Sequence, residues 1–174
     1  PGSGPQVRLG EGVDCETCHG SSVGWLASHY TVGATHGRNL SQGMTNLSDP
    51  ATRANVCLDC HFGGDNTGQF VTHRIMAAGH PRVSFELDLF STLQQHHDED
   101  ADYIVEADGA SPRKPRTNSL KFWAVGQAMA LDRSLRMFSD QRFGDNGIFP
   151  EFYFYDCHSC HRQISDRQDA APGK

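Results

Sequence analysis

The sequence predicts a mainly α-helical fold with much irregular loop and little or no sheet. Two patterns and one feature of the composition carry that expectation. Residues 119–139 repeat apolar side chains every three or four positions, at Leu120, Trp123, Ala124, Ala128, Leu131, Leu135 and Phe138, which is the spacing of one helix face. Strand-like alternation is confined to residues 148–155 and is poor there. Eighteen Gly and 8 Pro interrupt the 174-residue chain, and hydrophobic residues are only 37% of it. Few aliphatic side chains are available to build a core, so something else has to fill the interior.

Taken in order, residues 1–12 read as a flexible N-terminal arm, 13–168 as a single domain and 169–174 as a C-terminal tail. Asp49-Pro50 has the form of an N-cap followed by the first helical residue, opening a short helix that carries Ala54 and Val56. His73 to Ala78 is compatible with a helix that Gly79 and Pro81 would stop. Ser84 is positioned to cap a further helix from Phe85 to about Gln95, with Phe85, Leu89, Phe90 and Leu93 turned inward. The long helix of 119–139 holds Met129 and Met137, which read as core packing. Six of the aromatic residues crowd into 143–155: Phe143, Phe149, Phe152, Tyr153, Phe154 and Tyr155.

The charge balance excludes some function classes. Fifteen basic against 21 acidic side chains leave a net charge of −6, with no basic tract for a nucleic-acid partner. No apolar run approaches the roughly 18 residues of a membrane-spanning helix. Asp98-Glu99-Asp100, Asp102, Glu106 and Asp108 form an acidic run, followed by the basic Arg113-Lys114-Pro115-Arg116. This segment reads first as a solvated loop and second as a docking patch for a redox partner of opposite charge. It lacks the ligand spacing of a calcium-binding EF-hand.

The cysteines are the most specific signal. All six fall in three pairs, Cys15 and Cys18, Cys57 and Cys60, Cys157 and Cys160. Each pair is spaced C-x-x-C, and histidine follows each at once, at His19, His61 and His161. C-x-x-C-H is the attachment sequence of c-type haem. Two thiols at this spacing can each form a thioether to a haem vinyl group, and the next residue turns an imidazole onto the iron. Zinc sites pair two C-x-x-C halves or use distant histidines, and three halves do not pair. A disulfide scaffold suits shorter chains, and a thioredoxin-like redox motif would occur once, beside a βαβ pattern that is absent here. The expected cofactors are therefore three covalent haem c groups, with His19, His61 and His161 as proximal iron ligands.

Ten histidines leave seven for three distal positions, which favours bis-histidine coordination over the competing methionines. His73 and His80 are seven apart and would share a helix face. His29 follows Trp25 by four residues. His36 and His97 are weaker candidates. His96 and His97 close an apolar helix pattern, where a solvated pair or a helix C-cap is the plainer reading. His158 lies inside the third binding loop, with little freedom to reach another iron.

The chain resembles a group of multihaem c-type cytochromes related to the tetrahaem cytochromes that accept electrons from hydroxylamine oxidoreductase. The matching stretches are Cys15-Glu16-Thr17-Cys18-His19-Gly20 with Trp25-Leu26-Ala27-Ser28-His29, and Cys57-Leu58-Asp59-Cys60-His61. They continue through Val71 to Glu86, of which His73 to Phe85 is the most specific part, and close with Tyr155 to His161. The resemblance implies a ligand role for the histidine after W-x-x-x, His29, and for His73 and His80. This chain has three motifs rather than four, so ligand pairings of larger relatives do not carry over.

The expectation is an exported protein, periplasmic or extracellular in its mature form, because c-type haem is attached outside the cytoplasm. Its function is electron transfer between redox partner proteins through closely spaced bis-histidine haems, without enzymatic turnover. One alternative is a building block of a larger oxidoreductase or of a conducting filament of its own copies. Another is a haem enzyme with one open iron acting on a small nitrogen oxide or peroxide, with Arg74, His36, His96 and His97 as candidate donors.

Overall fold

The computed structural model describes residues 13–63, 70–80, 85–94, 118–140 and 152–161. They are mainly helical and contain no sheet, as the sequence predicts. Among the described residues the α-helices are, in order, α1 (Cys15–His19), α2 (Leu26–His29), α3 (His36–Ser41), α4 (Pro50–His61), α5 (His73–Ala77), α6 (Leu87–Leu93) and α7 (Ser119–Ser139). Two 3-10 turns come last, Phe152–Phe154 and Cys157–Ser159. Residues 152–154, near the end of the strand-like pattern, form the first of these turns. Their aromatic side chains pack as a cluster instead of alternating between two faces. No helix among the described residues is long and apolar enough to cross a membrane.

The chain divides into two compact units, each assembled from two stretches of sequence. The first joins Pro1–Leu58 with Phe85–Met129. Helix α4 opens there as expected: Asp49 Oδ2 accepts from the Thr52 amide at 2.9 Å and its hydroxyl at 2.7 Å, satisfying two donors at the helix start. Pro50, Ala54 and Leu58, spaced by four, are buried along one face of α4. The Arg53 guanidinium lies 4.7 Å from the centre of the Phe122 ring, and its Nε donates to the Leu47 carbonyl at 2.7 Å. Nearby, Leu87 of α6 is fully buried against Gly126 of α7. A Cβ at position 126 would stand 2.5 Å from Leu87 Cβ, so glycine is what lets the side chain approach.

That contact corrects two expectations. Helix α6 starts at Leu87, capped by Glu86, whose carboxylate accepts from the amides of Asp88 at 3.1 Å and Leu89 at 2.6 Å. Ser84 lies outside the described residues. The inward residue is Leu87, whereas Leu89 and Leu93 are exposed. Helix α7 has the expected bounds but presents the other face: Phe122, Gly126, Arg133 and Met137 are buried. Leu120, Trp123, Leu131, Leu135 and Phe138 of the expected stripe remain exposed. The helix is apolar on two sides, and periodicity alone cannot rank them. Met137 is core, as the sequence suggests.

The second unit joins Asp59–Ser84 with Ala130–Lys174. Its core is aromatic. Tyr153, 1% exposed, meets Phe62 edge-on at 5.3 Å and Phe70 at 5.2 Å. Phe154 stacks on Phe70 at 6.0 Å and takes the edge of Phe138 at 5.5 Å. Edge-to-face pairs at these spacings contribute beyond the area they bury. An isolated antiparallel bridge links Gly63 and Phe70.

Candidate functional site

The three C-x-x-C-H motifs adopt helical turns of different kinds. The first is helix α1. Asp14 caps it, accepting from the Thr17 amide at 2.9 Å and the Thr17 hydroxyl at 2.8 Å. Glu16 reaches forward and accepts from the amide and hydroxyl of Ser22. These donors hold both carboxyls below the ordinary carboxylate range, Asp14 through Thr17 and Glu16 through Ser22. Gly20 ends the helix at φ 75°, a left-handed conformation that costs glycine little. The His19 carbonyl accepts from the Thr45 amide at 2.8 Å.

Beyond this turn, Trp25 is buried and meets two imidazoles edge-on, His19 at 6.0 Å and His29 at 5.5 Å. His29 Nδ1 lies 2.8 Å from the Leu26 carbonyl oxygen. A carbonyl only accepts, so Nδ1 donates, and in the neutral imidazole Nε2 is the nitrogen left to bind a metal. This is the second contact that ligand histidines characteristically make. His36 is turned toward polar neighbours: its Nε2 stands 3.4 Å from both Asn46 Oδ1 and Ser48 Oγ.

The second motif, Cys57 to His61, is the last turn of α4. Leu58 is fully buried and Cys60 exposed. Asp59, between the two cysteines, accepts from Arg133 of α7, whose NH1 also donates to the Gly63 carbonyl at 3.1 Å. The third motif forms the 3-10 turn Cys157–Ser159, continued by the His161 amide donating to the Cys157 carbonyl at 2.8 Å.

His73 opens α5, which Thr72 caps through its hydroxyl. Its ring is 6.1 Å from that of His161, with the planes inclined at 33°, and 5.2 Å from Phe152. An imidazole–metal bond of about 2 Å, added on each side to the roughly 1 Å from ring nitrogen to ring centre, puts two axial imidazoles about 6 Å apart. The observed centroid spacing is of that size. His80, expected on the same helix face as His73, lies beyond the helix end. The Gly79 amide returns to the Met76 carbonyl at 3.0 Å and the His80 amide to Ile75 at 3.2 Å, a Schellman motif turned by Gly79 at φ 100°. His80 is exposed. His97, the acidic run and its basic successor, and the His158 side chain lie outside the described residues.

The residues present fit haem c. No disulfide joins any of the six cysteines, each pair sits on one turn with its histidine, and the rings of His73 and His161 lie near each other. Among the described residues no group of three or more His, Cys, Asp or Glu side chains gathers that could hold a bare metal ion. Haem needs only two protein ligands, because the porphyrin supplies four. Three participants were missed from the sequence: Trp25 as a wall between imidazoles, Glu16 as a brace on Ser22, and Arg133. A signal existed for the last, since Arg133 falls four residues before Met137 on the buried face, a cation inside an apolar register. Comparison with protein-family models, curated proteins and solved structures found no match.

Proposed function

We propose that this chain is a trihaem c-type cytochrome of the periplasm or cell exterior that carries electrons between redox proteins. The observation that carries the reading is the three C-x-x-C-H motifs, which use every cysteine in the chain. The pairing of His161 with His73 at ligand spacing supports it from a second direction. Cys15 and Cys18, Cys57 and Cys60, and Cys157 and Cys160 would hold the three groups, with His19, His61 and His161 as proximal ligands. Bound haem supplies a one-electron iron couple whose potential follows axial ligation, burial and nearby charge.

The chain's own residues favour transfer over turnover. His73 and His161 would together hold one haem iron, which would then serve electron transfer. Phe152 packs edge-on against His73 at 5.2 Å, at the border of the ring cluster around Tyr153. His29, with its tautomer set by Leu26, is the distal candidate in the first unit. The likeness to tetrahaem electron acceptors points the same way. Assembly into a larger redox complex is the second reading, and the apolar side chains left exposed on α7 favour it. The test is the haem-to-protein ratio with spectra of the oxidised and reduced protein, with and without carbon monoxide. A ratio of three with wholly low-spin haem supports an electron carrier. A carbon-monoxide-binding third moves the assignment to an enzyme, and absence of covalent haem ends it.

A further inference from the structure

We infer that Arg133 positions the second C-x-x-C-H motif and sets the electrostatic environment of its histidine. The inference rests on the haem reading and adds a residue that no motif contains. Arg133 is 9% exposed on the buried face of α7. Its NH1 donates to Asp59 Oδ1 and, at 3.1 Å, to the Gly63 carbonyl. Asp59 precedes His61 by two residues and Gly63 follows it by two, so one guanidinium grips the chain on both sides of the proximal ligand. Gly63 has φ 101°, a conformation that favours glycine, and its carbonyl accepts from the guanidinium.

The charges are unequal in their screening. Arginine stays protonated in proteins, and its side chain here is 11% exposed, whereas that of Asp59 is 49% exposed. Solvent weakens the carboxylate's field more than the guanidinium's. The positive end therefore dominates near His61. A positive charge favours the ferrous over the ferric state and raises the reduction potential of an iron held there.

The opposite charges of the pair give the test its sign. Redox titration of the holoprotein should resolve three waves. Arg133→Met should lower one of them, and Asp59→Asn should raise that same wave, with the other two unmoved. Arg133→Lys keeps the charge but loses the planar fork, so it should hold the wave near its wild-type position. It also serves should Arg133→Met not fold. Shifts of one sign in both the Met and Asn variants would mean mere loosening of the loop and overturn the inference. So would three unmoved waves, or a Lys variant that falls as far as the Met variant. Wild-type protein without covalent haem would instead overturn the underlying reading, whereas three haems with unmoved waves would overturn this inference alone.

Discussion

Cys15–His19 is held by carboxylates and hydroxyls, whereas Cys157–His161 follows a cluster of aromatic rings and meets an imidazole through His161. Around the first motif Asp14, Thr17, Glu16 and Ser22 trade hydrogen bonds in exposed positions, and one tryptophan is the main apolar wall. At the third motif the Ser159 hydroxyl donates to Asp156 at a longer 3.5 Å. The His73 imidazole lies against that of His161, and Phe152, Tyr153 and Phe154 precede the motif in the chain as part of the ring cluster. The same five-residue pattern is thus served by two kinds of support. Sequence pattern selects the ligand chemistry, while the surroundings select polarity, and polarity is a main determinant of haem potential.

The largest expected effect comes from the facing imidazoles. Replacing His73 by Ala should turn one third of the haem high spin and carbon-monoxide-binding while three haems stay attached, read by absorption spectra and paramagnetic resonance. Wholly low-spin haem in this variant would break the pairing with His161 and with it the contrast between the motifs. Next is the aromatic support itself. Tyr153→Ala empties the centre of the ring cluster and should cost about 3 kcal/mol or more, by analogy with large aromatic truncations in cores, measured by denaturant unfolding. A smaller change would mean that the second unit does not depend on its rings.

The first motif depends on backbone geometry. Gly20→Ala places a Cβ 2.7 Å from Thr45 Oγ1 at a positive φ, a clash added to an unfavourable conformation. It should destabilise by more than about 1 kcal/mol, with amide exchange rising at residues 15–22 and not at 152–161. A uniform rise in exchange would blur the contrast, and no rise would remove glycine from the account.

What could be read beforehand follows the same division. Local signals were legible: the motif spacing, Asp49-Pro50 at the start of α4, the bounds of α7. Each depends on residues a few positions apart. Orientation was not legible. Helix α7 is apolar on two sides, and its buried face is decided by the fit of Gly126 against Leu87, residues 39 positions apart in sequence. The contact of His73 with His161 spans a still longer separation, which no local pattern signals. Helix α5 shows the opposite failure, since a seven-residue interval implied one face until Gly79 turned His80 off the helix.

The smallest effect separates the motifs by acidity. Asp14 and Glu16 are held below the ordinary carboxylate range by Thr17 and Ser22. A depressed folded-state pKa means stabilisation that is present above the unfolded value and lost as pH falls through the folded one. Acidification below the ordinary carboxylate range should therefore raise amide exchange at residues 15–22 while residues 152–155, packed by rings, change less. Asp14→Asn retains a capping oxygen but no titration there, so its exchange should depend less on pH than that of the wild type. An equal pH dependence in variant and wild type would show that the cap carries no part of the acid response. The first motif would then differ from the third in its packing alone.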